Sequence, residues 1–421
     1  MLTTRPRGTA DLLPGEVEKW QYVEEKARDL CRRYGYREIR TPVFEHTELF
    51  VRSVGVGTDI VEKEMYTFRD RGGREVSLRP EGTAGVVRAF LENGLHAGPQ
   101  PVKLFYLGPM FRYDRPQAGR LRQFHQFGVE VFGSADPAVD AEVIALTVDL
   151  FAELGTPDVQ IELNSVGCPE CRPVLVERLR RYLAPHLADL CGDCRRRLER
   201  SALRVLDCKN RACRALLAGA PTAPDYLCAP CADHFAGLRR HLERDGIGYR
   251  LNPHLVRGLD YYTRTAFEIT VPGLGAQNAL GGGGRYDGLV EECGGPRVPA
   301  VGCAVGMERT LLYLAERGVE LPARGGPEVY LVEAGAPEGA GADLLRRLRR
   351  AGFAADRDYL GRSLKAQMKH AARLGVAFTL ILGAEEWARG CVAVRHMETG
   401  QQEEIPLGDV LAYLRGCLNR W

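Results

Sequence analysis

Apolar side chains recur at helical spacing near the start of the chain and at alternate positions through much of the remainder. The spacing predicts a helix over 17–34, whose apolar stripe is formed by Val23, Ala27, Leu30 and Cys31. Gly35 ends this helix, and a strand over 36–41 comes next. From 76–132 the pattern predicts mostly strands and turns, with one helix over 84–93. These elements favour a sheet with flanking helices.

Two alternating segments within 104–132 predict neighbouring strands. On the second strand one parity is apolar and belongs in a core, and the other parity carries Phe124, Gln126, Gly128 and Glu130. Because buried polar groups need partners, this second face should meet a ligand or water, and a hairpin with a solvated outer face fits the same pattern. The loop between the strands has arginines that could hold phosphates: Arg115, Arg120 and Arg122.

A strand over 261–269 follows an arginine and a glycine, Arg257 and Gly258. Strict alternation places Tyr261 on one face of this strand and Tyr262 on the other. A fixed guanidinium beside an aromatic hydroxyl suits a small zwitterion or a phosphate. A surface arginine beside an ordinary strand is the simpler alternative.

Three further segments have candidate binding residues: a turn from strand to helix, a run of glycines, and the start of a helix. At 78–84 a strand turns into a helix, Thr83 is the predicted N-cap, and Glu81 lies where a carboxylate complements the helix dipole. Capping explains both residues, and both could also accept hydrogen bonds from a substrate ammonium. The glycines of 281–284 allow close approach to a ligand or form a flexible turn. Arg309, near the start of a helix, needs an anion or an aromatic plane.

The end of the chain alternates strands with helices after a linker over 321–327. The predicted strands are 328–333, 354–358 and 377–382, and the helices are 341–351, 363–374 and one from Gly408. Such alternation is typical of a small α/β domain with a mostly parallel sheet. One helix has basic residues that suit RNA or form a solvated face: Arg362, Lys365, Lys369 and Arg373.

Composition narrows the class of protein. The chain has 421 residues, which is enough for two or three domains, and 45% of them are hydrophobic, as in a soluble globular protein. Its net charge of +2 excludes a gross polycation. We find no secretory signal near the N-terminus and no apolar run that could cross a bilayer, so we expect a cytoplasmic protein without a membrane partner.

Thirteen cysteines are many for such a protein, and eight of them lie between 168 and 231. They form pairs at close spacing: Cys168 and Cys171, Cys191 and Cys194, Cys208 and Cys213, and Cys228 and Cys231. Eight thiolates suffice for two tetrahedral zinc sites, and reduced thiols in a helical insertion are the alternative. Which pairs would share an ion is open. We expect any such site to be structural and remote from the reaction.

Taken together, these segments resemble the histidyl-tRNA synthetase family, whose members are class II aminoacyl-tRNA synthetases. The segments 25–53, 105–132 and 302–312 resemble class II motifs 1, 2 and 3. The histidine-specific marks are the segments 257–262 and 282–288, which read RGLDYY and GGGRYDG. The similarity covers nearly the whole chain, apart from details of the cysteine-rich insertion.

The resemblance implies an α+β fold, with a class II catalytic domain built on an antiparallel sheet with flanking helices. This domain should span 1–322 and be interrupted by the Cys-rich insertion domain, 168–248. An α/β anticodon-binding domain should follow over 327–421. Motif 1 implies a homodimer.

The family's roles carry over by position. Residues expected to bind histidine or the adenylate are Glu81, Gly82, Thr83, Arg112, Gln126, Glu130, Arg257, Tyr261, Tyr262 and Tyr286. Residues expected to bind ATP are Arg112, Asp114, Phe124 and Arg309. Arg112 and Arg257 are the expected catalytic residues at the α-phosphate. Asp114 stands where the family usually has glutamate, which puts its contact with the adenine amino group in doubt.

The implied reaction is a ligation. L-histidine is activated with ATP and Mg²⁺ to histidyl adenylate and transferred to the 3′ end of tRNA(His), releasing pyrophosphate and AMP. Two alternatives remain: the regulatory subunit of ATP phosphoribosyltransferase, and a class II synthetase for threonine, proline or glycine. The first typically lacks the anticodon domain and the arginine at 257, and the second does not fit the segment 257–262.

Overall fold

Two units divide the chain, Met1–Pro322 and Ala323–Trp421, and each is described by itself. The structure is a computed structural model that describes residues 3–55, 57–272, 278–322 and 325–418. In the predicted linker 321–327, residues 323 and 324 lie outside the described residues. Within the described ranges, none of the helices is long and apolar enough to cross a lipid bilayer.

An eight-stranded sheet forms the centre of the first unit, and a three-stranded sheet accompanies it. The strands, numbered along the chain, are β1 (Arg37–Glu38), β2 (Phe44–His46), β3 (Thr67–Arg69), β4 (Glu75–Leu78), β5 (Val102–Phe111), β6 (Gln123–Phe132), β7 (Gln160–Ser165), β8 (Tyr249–Leu251), β9 (Thr263–Thr270), β10 (Ala279–Arg285) and β11 (Ala300–Gly306). The large sheet has the order β1-β5-β6-β11-β10-β9-β7-β8, and the small one β2-β4-β3. The large sheet is antiparallel except at its two edge pairs.

Helices pack against both faces of the large sheet, and a cavity lies over the polar face of its central strands. In chain order they are α1 (Val17–Arg33), α2 (Thr47–Val54), α3 (Thr83–Glu92), α4 (Pro137–Glu153), α5 (Arg172–Leu183), α6 (Gly192–Arg200), α7 (Arg211–Leu217), α8 (Ala229–Arg244), α9 (Leu289–Glu292) and α10 (Met307–Glu316). The apolar stripe of α1 packs in one core with α4 and with Phe127, Val129 and Val131 of β6. The alternation of β6 therefore separates core from site as predicted.

The second unit has a five-stranded sheet in the order β13-β12-β14-β15-β16. Its elements are β12 (Val329–Ala334), α11 (Ala340–Arg350), β13 (Ala355–Arg357), α12 (Leu364–Leu374), β14 (Phe378–Gly383), α13 (Ala384–Ala388), β15 (Cys391–His396), β16 (Gln402–Pro406) and α14 (Val410–Cys417). Strand β12 pairs in parallel with β13 and β14, whereas the pairs β14–β15 and β15–β16 are antiparallel. The prediction of a mostly parallel sheet was wrong because β15 and β16 form a hairpin, and the mostly exposed β16 gives little hydrophobic signal.

The predicted α+β fold is confirmed, and the differences are local. The helix expected over 17–34 spans Val17–Arg33, but the strand expected over 36–41 is reduced to Arg37–Glu38, the residues that stand in register with β5. The strand expected from Tyr261 begins at Thr263. The insertion is helical and comprises α5, α6, α7 and α8.

Candidate active site

A cavity of ≈ 440 Å³ lies over the polar face of the central strands. It brings together most of the residues singled out from the sequence: Glu81, Thr83, Arg112, Asp114, Phe124, Gln126, Arg257, Tyr261, Tyr262, Tyr286 and Arg309. Glu130 lies beneath the cavity surface with 1% of its area exposed. Gly82 is buried at the start of α3. Segments that are far apart in the chain thus meet at one site.

The buried carboxylate of Glu130 forms the floor of this site. One of its oxygens accepts a hydrogen bond from the Thr83 hydroxyl at 2.6 Å, and the other accepts one from the Tyr286 hydroxyl. A Cβ atom at Gly302, on the neighbouring strand β11, would collide with this carboxylate. Burial raises the pKa of Glu130 to about 8, although both hydroxyl donors oppose that shift.

Glu81, rather than Thr83, caps helix α3. The two oxygens of its carboxylate accept hydrogen bonds from the backbone N–H groups of Thr83 and Ala84, each at 2.8 Å. The prediction of Thr83 as N-cap was wrong because its hydroxyl points to Glu130 instead. Burial raises the pKa of Glu81. The cavity therefore holds two buried carboxylates, which favour a ligand that carries positive charge.

The tyrosine Tyr106 was missed by the sequence reasoning. It lies on β5 opposite Gly128, and a Cβ atom at Gly82 or Gly128 would overlap its ring. The space left by Gly128 is thus filled by Tyr106 and not by a ligand. The available signal was parity, because Tyr106 shares the strand face of Arg112, which the family resemblance assigns to the site.

Gln126 offers a free acceptor in the same region. Its side-chain oxygen is buried and has no hydrogen-bond partner among the described residues. Since unpartnered buried polar atoms are uncommon, this oxygen marks a position where a ligand donor could lie. Tyr261 and Tyr262 also line the cavity, with ring centroids 4.7 Å apart. Their predicted placement on opposite faces was wrong because both precede β9, where the chain is a turn and not yet a regular strand.

Two arginines from different segments reach the cavity. The Nε atom of Arg112 donates to the carbonyl oxygen of Pro80 at 2.8 Å, and its guanidinium lies over the Phe124 ring, 5.3 Å from the centroid. Arg257 donates through Nη1 to the carboxylate of Glu268. It lies flat on the sheet because Gly282 has no side chain, and a Cβ atom there would be 2.8 Å from Arg257 Nη1. Glu268 was a second residue that the sequence reasoning missed.

The loop between β5 and β6 contributes less positive charge than predicted. Of the three arginines predicted there to hold phosphates, only Arg120 lines the cavity, where it pairs with Asp114. Arg122 instead stacks over Tyr113, 3.8 Å from the ring centroid, and Arg115 is exposed. Asp114 lies in the cavity wall as expected, although its carboxylate is engaged by the loop itself.

The eight insertion cysteines form two sets of four. We call Cys168, Cys171, Cys228 and Cys231 the basal cluster, and Cys191, Cys194, Cys208 and Cys213 the distal cluster. Within each cluster the sulfur atoms all lie within 4.8 Å of one another. This resolves the pairing left open by the sequence: the first pair joins the last, and the two middle pairs join each other.

The sulfur spacing within the clusters matches tetrahedral coordination. In the basal cluster the distances are 3.7 Å for Cys168–Cys228 and Cys168–Cys171 and 3.9 Å for Cys171–Cys231, and Cys191–Cys208 in the distal cluster is 3.9 Å. Four sulfurs at about 2.3 Å from one Zn²⁺ would be about 3.8 Å apart, whereas a disulfide requires about 2.05 Å. The geometry fits a metal and excludes disulfides between these pairs.

The insertion is not remote from the active site. Asp207 and Lys209, which flank Cys208 of the distal cluster, line the cavity together with the residues from the sheet. For the distal cluster, the expectation of a site remote from the reaction was therefore wrong. No local pattern could have indicated this, because the contact depends on how the insertion folds back over the sheet.

Comparisons with known proteins agree with this geometry. Residues 8–310 match the family model described as histidyl-tRNA synthetase, and residues 329–416 match the anticodon binding domain. The chain is 61% identical over 418 residues to the histidine–tRNA ligase of Pelotomaculum thermopropionicum, and this alignment covers 99% of the chain and 98% of the relative. It is 59% identical over 416 residues to that of Moorella thermoacetica, with coverage of 99% and 98%. The crystal structure of apo S. aureus histidyl-tRNA synthetase is 39% identical and superposes with a TM-score of 0.84, covering 98% of this chain and 99% of that one.

The fold and the site define a class II aminoacyl-tRNA synthetase. The antiparallel sheet carries the cavity, and a separate α/β unit follows it. Within that class, the chain belongs to the histidyl-tRNA synthetase family.

Proposed function

We propose that this chain activates L-histidine with ATP to histidyl adenylate and transfers the histidyl group to the 3′ end of tRNA(His). Pyrophosphate leaves in the first step and AMP in the second. The observation that carries the proposal is the buried Glu130 carboxylate, held by two hydroxyl donors at the floor of the cavity in a chain of this family.

The amino-acid end of the cavity suits histidine. Glu130 and Tyr262 would bind the imidazole nitrogens, with Tyr261 and Tyr286 lining the same pocket. The α-ammonium would be held by the side chains of Glu81, Thr83 and Gln126, close to the backbone at Gly82. An isosteric amino acid without ring nitrogens would offer the buried Glu130 no donor beyond the hydroxyls of Thr83 and Tyr286, and polar recognition of this kind can discriminate by roughly 10⁴ or more without editing.

The reaction takes place where the α-phosphate of ATP would bind. The histidine carboxylate oxygen attacks the α-phosphorus, and the bond to the pyrophosphate oxygen breaks on the opposite side. Arg112 and Arg257 would stabilise the charge that grows on the α-phosphate oxygens, because preorganised guanidinium groups act most strongly where water is excluded. In the second step the terminal ribose hydroxyl of tRNA attacks the adenylate carbonyl and AMP leaves.

Adenine would stack between Phe124 and Arg309, with Asp114 near its amino group. Arg120 already engages Asp114, so that contact requires the loop ion pair to open or to be shared. Mg²⁺ accompanies the β- and γ-phosphates of ATP as part of the substrate.

The remaining partners are those that this reaction requires. The unit that contains residues 329–416 would bind the anticodon arm of the tRNA. The enzyme would act as a homodimer through the motif 1 segment, and in the cytoplasm, where charged tRNA is used.

Each cysteine cluster, we propose, binds one structural Zn²⁺. The donors fit, because thiolate sulfur is a preferred zinc ligand and the spacing is tetrahedral. Backbone N–H groups already point to the sulfurs, as from Cys168 to Cys171 at 3.0 Å and from Cys191 to Cys213 at 3.2 Å. Elemental analysis should find two zinc ions per chain; a zinc-free active protein with eight titratable thiols would contradict this.

The reaction itself is tested by ATP–pyrophosphate exchange with each amino acid in turn. Exchange that depends on histidine supports the proposal. Exchange with threonine, proline or glycine would identify another class II synthetase, and the absence of exchange in folded protein would favour a regulatory subunit.

A further inference from the structure

The distal cluster belongs to a small lobe that hydrogen bonds tie to two other segments of the first unit. Arg204 donates to Asp59 at 3.0 Å and to the carbonyl oxygen of Gly57 at 3.2 Å. On the other side, the Ser201 hydroxyl donates to Asp260 at 3.3 Å, immediately before Tyr261 of the cavity wall. These hydrogen bonds therefore fix the position of the lobe relative to the rest of the first unit.

Two charged side chains of this lobe line the cavity. The ammonium of Lys209 lies 3.0 Å from Asp207 Oδ1, and 78% of the Lys209 side chain is exposed. This combination of exposure and cavity contact puts Lys209 at the cavity opening. Among the described residues this ammonium pairs with one neighbouring carboxylate, and from there it can rotate towards a phosphate that enters the cavity.

Cys208 is the link between this lysine and the rest of the lobe. Residues 208–210 lie outside helix and strand, and Asn210 caps the next helix, α7. Cys208 is buried, with its sulfur inside the distal cluster. The short path from the cluster to Lys209 thus fixes the backbone from which the lysine side chain extends.

We infer that Lys209 is a phosphate-binding residue of the active site and that the metal of the distal cluster holds it in place. The phosphate would come from the triphosphate of ATP or from the 3′-terminal segment of the tRNA. The inference rests on the proposed zinc sites and on the proposed reaction, and it gives the distal cluster a role that the basal cluster does not share.

Lys209→Met tests the lysine directly. Loss of one charge-assisted contact to a phosphate should weaken the affected step about tenfold. A raised KM for ATP in pyrophosphate exchange would identify the triphosphate. Slower single-turnover transfer from preformed histidyl adenylate, or a higher KM for tRNA, would identify the tRNA. The matched control is Arg178→Met, which removes an exposed charge from α5 of the same insertion outside the cavity. If Lys209→Met matches the parent in both assays, the inference is wrong.

The metal link is tested by comparing the clusters. Cys191→Ser/Cys213→Ser and Cys168→Ser/Cys171→Ser should each lower zinc from two ions to one per chain. Only the distal variant should reproduce the Lys209→Met defect, and adding Lys209→Met to it should cause no further loss. Cys191→His keeps a zinc ligand at this position and should have the zinc content and the KM of the parent. It keeps the test decisive if the serine variant fails to fold.

Different results identify the three possible failures. Equal defects in the distal and basal variants, or a distal variant that lacks one zinc and keeps the parent kinetics, would overturn the link between metal and lysine. A zinc-free parent protein would overturn the zinc proposal and the metal link with it, while leaving the Lys209→Met result to be judged separately. An absence of histidine-dependent exchange in the parent would instead overturn the proposed reaction.

Discussion

The guanidinium of Arg257 and the carboxylate of Glu268 form an ion pair on the sheet surface that lines the cavity. The pair fixes the direction of the guanidinium, whose Nε atom is buried without a hydrogen-bond partner in the described part of the chain. Such an arrangement is preorganised for a phosphate oxygen, because little rotamer freedom remains to be lost on binding.

Arg257→Ala should therefore lower the rate of pyrophosphate exchange by about 10²–10³, or about 3–4 kcal/mol. The fall should appear in kcat more than in the KM for ATP, since the charge matures only in the transition state. Arg257→Lys should recover little of the exchange rate, because a lysine ammonium is a point charge and does not reproduce the planar arrangement of donors of a guanidinium. Transfer from preformed adenylate should suffer less.

The matched control is Glu268→Gln, which keeps the guanidinium but weakens its orientation and should cost less than Arg257→Ala. Exchange by Arg257→Ala at close to the parent rate would rule out a role at the α-phosphate.

Glu130→Gln should change both histidine binding and the pH dependence of stability. Burial raises the pKa of Glu130 from 4.5 to about 8 in the folded protein, so folding favours the protonated carboxyl group. That stability is complete below pH 4.5 and is lost as the pH rises towards 8. Between about pH 5 and 9, the melting temperature of the parent should therefore fall more steeply than that of Glu130→Gln.

The same variant should have a much higher KM for histidine and a nearly unchanged KM for ATP. Thermal unfolding without ligands measures the pH dependence of the melting temperature, and exchange kinetics measure the KM for histidine. Parallel melting curves for the two proteins would show that Glu130 is already ionised in the free enzyme.

Basic side chains on α12 should contribute to tRNA binding. Lys365, Lys369 and Arg373 are exposed and recur every four residues, which places them on one face of this helix. Replacing all three with glutamate should raise the KM for tRNA by at least about tenfold at physiological salt, because phosphate contacts dominate such affinities. Pyrophosphate exchange by the same variant is the internal control and should match the parent. Unchanged charging would place the tRNA on another surface of this unit.

The motif 1 segment should form the dimer interface. Phe44 on β2 is 53% exposed, its neighbour Val43 is 40% exposed, and Phe68 on β3 of the same small sheet is 48% exposed; exposed apolar residues grouped in this way indicate an interaction surface. Phe44→Asp should shift the protein towards monomer in analytical ultracentrifugation, with a loss of activity that depends on protein concentration. Leu187→Asp, at a leucine of the insertion that is 45% exposed, is the matched control and should remain dimeric. A parent protein that sediments as a monomer would remove the dimer proposal.

The sequence was most informative where structure is local. The alternation in β6 correctly separated Gln126 and Glu130 from the core residue Val129, because side chains on a regular strand point to opposite faces. The same rule was wrong for Tyr261 and Tyr262, because both precede β9 and Tyr261 lies in a turn, where side chains do not alternate as they do on a regular strand.

Long-range relationships were largely invisible in the sequence. The spacing of the cysteines indicated metal sites, but the pairing of Cys168 with Cys228 depends on how the insertion closes on itself. The placement of Lys209 in the cavity likewise depends on packing between distant elements, and the ion pair of Arg257 with Glu268 depends on how the segment before β9 lies against that strand. Periodicity cannot report such contacts.

The missing side chain at Gly302 has a consequence for how this enzyme can evolve. The carboxylate of Glu130 occupies the volume that any larger residue at 302 would need. A single replacement at 302 would therefore displace the carboxylate or push the two strands apart, and a change of Glu130 alone would leave a void beside the glycine. A change of preference towards another amino acid would therefore require substitutions at both positions. Because neither single substitution suffices, one mutation alone does not redirect the preference for histidine.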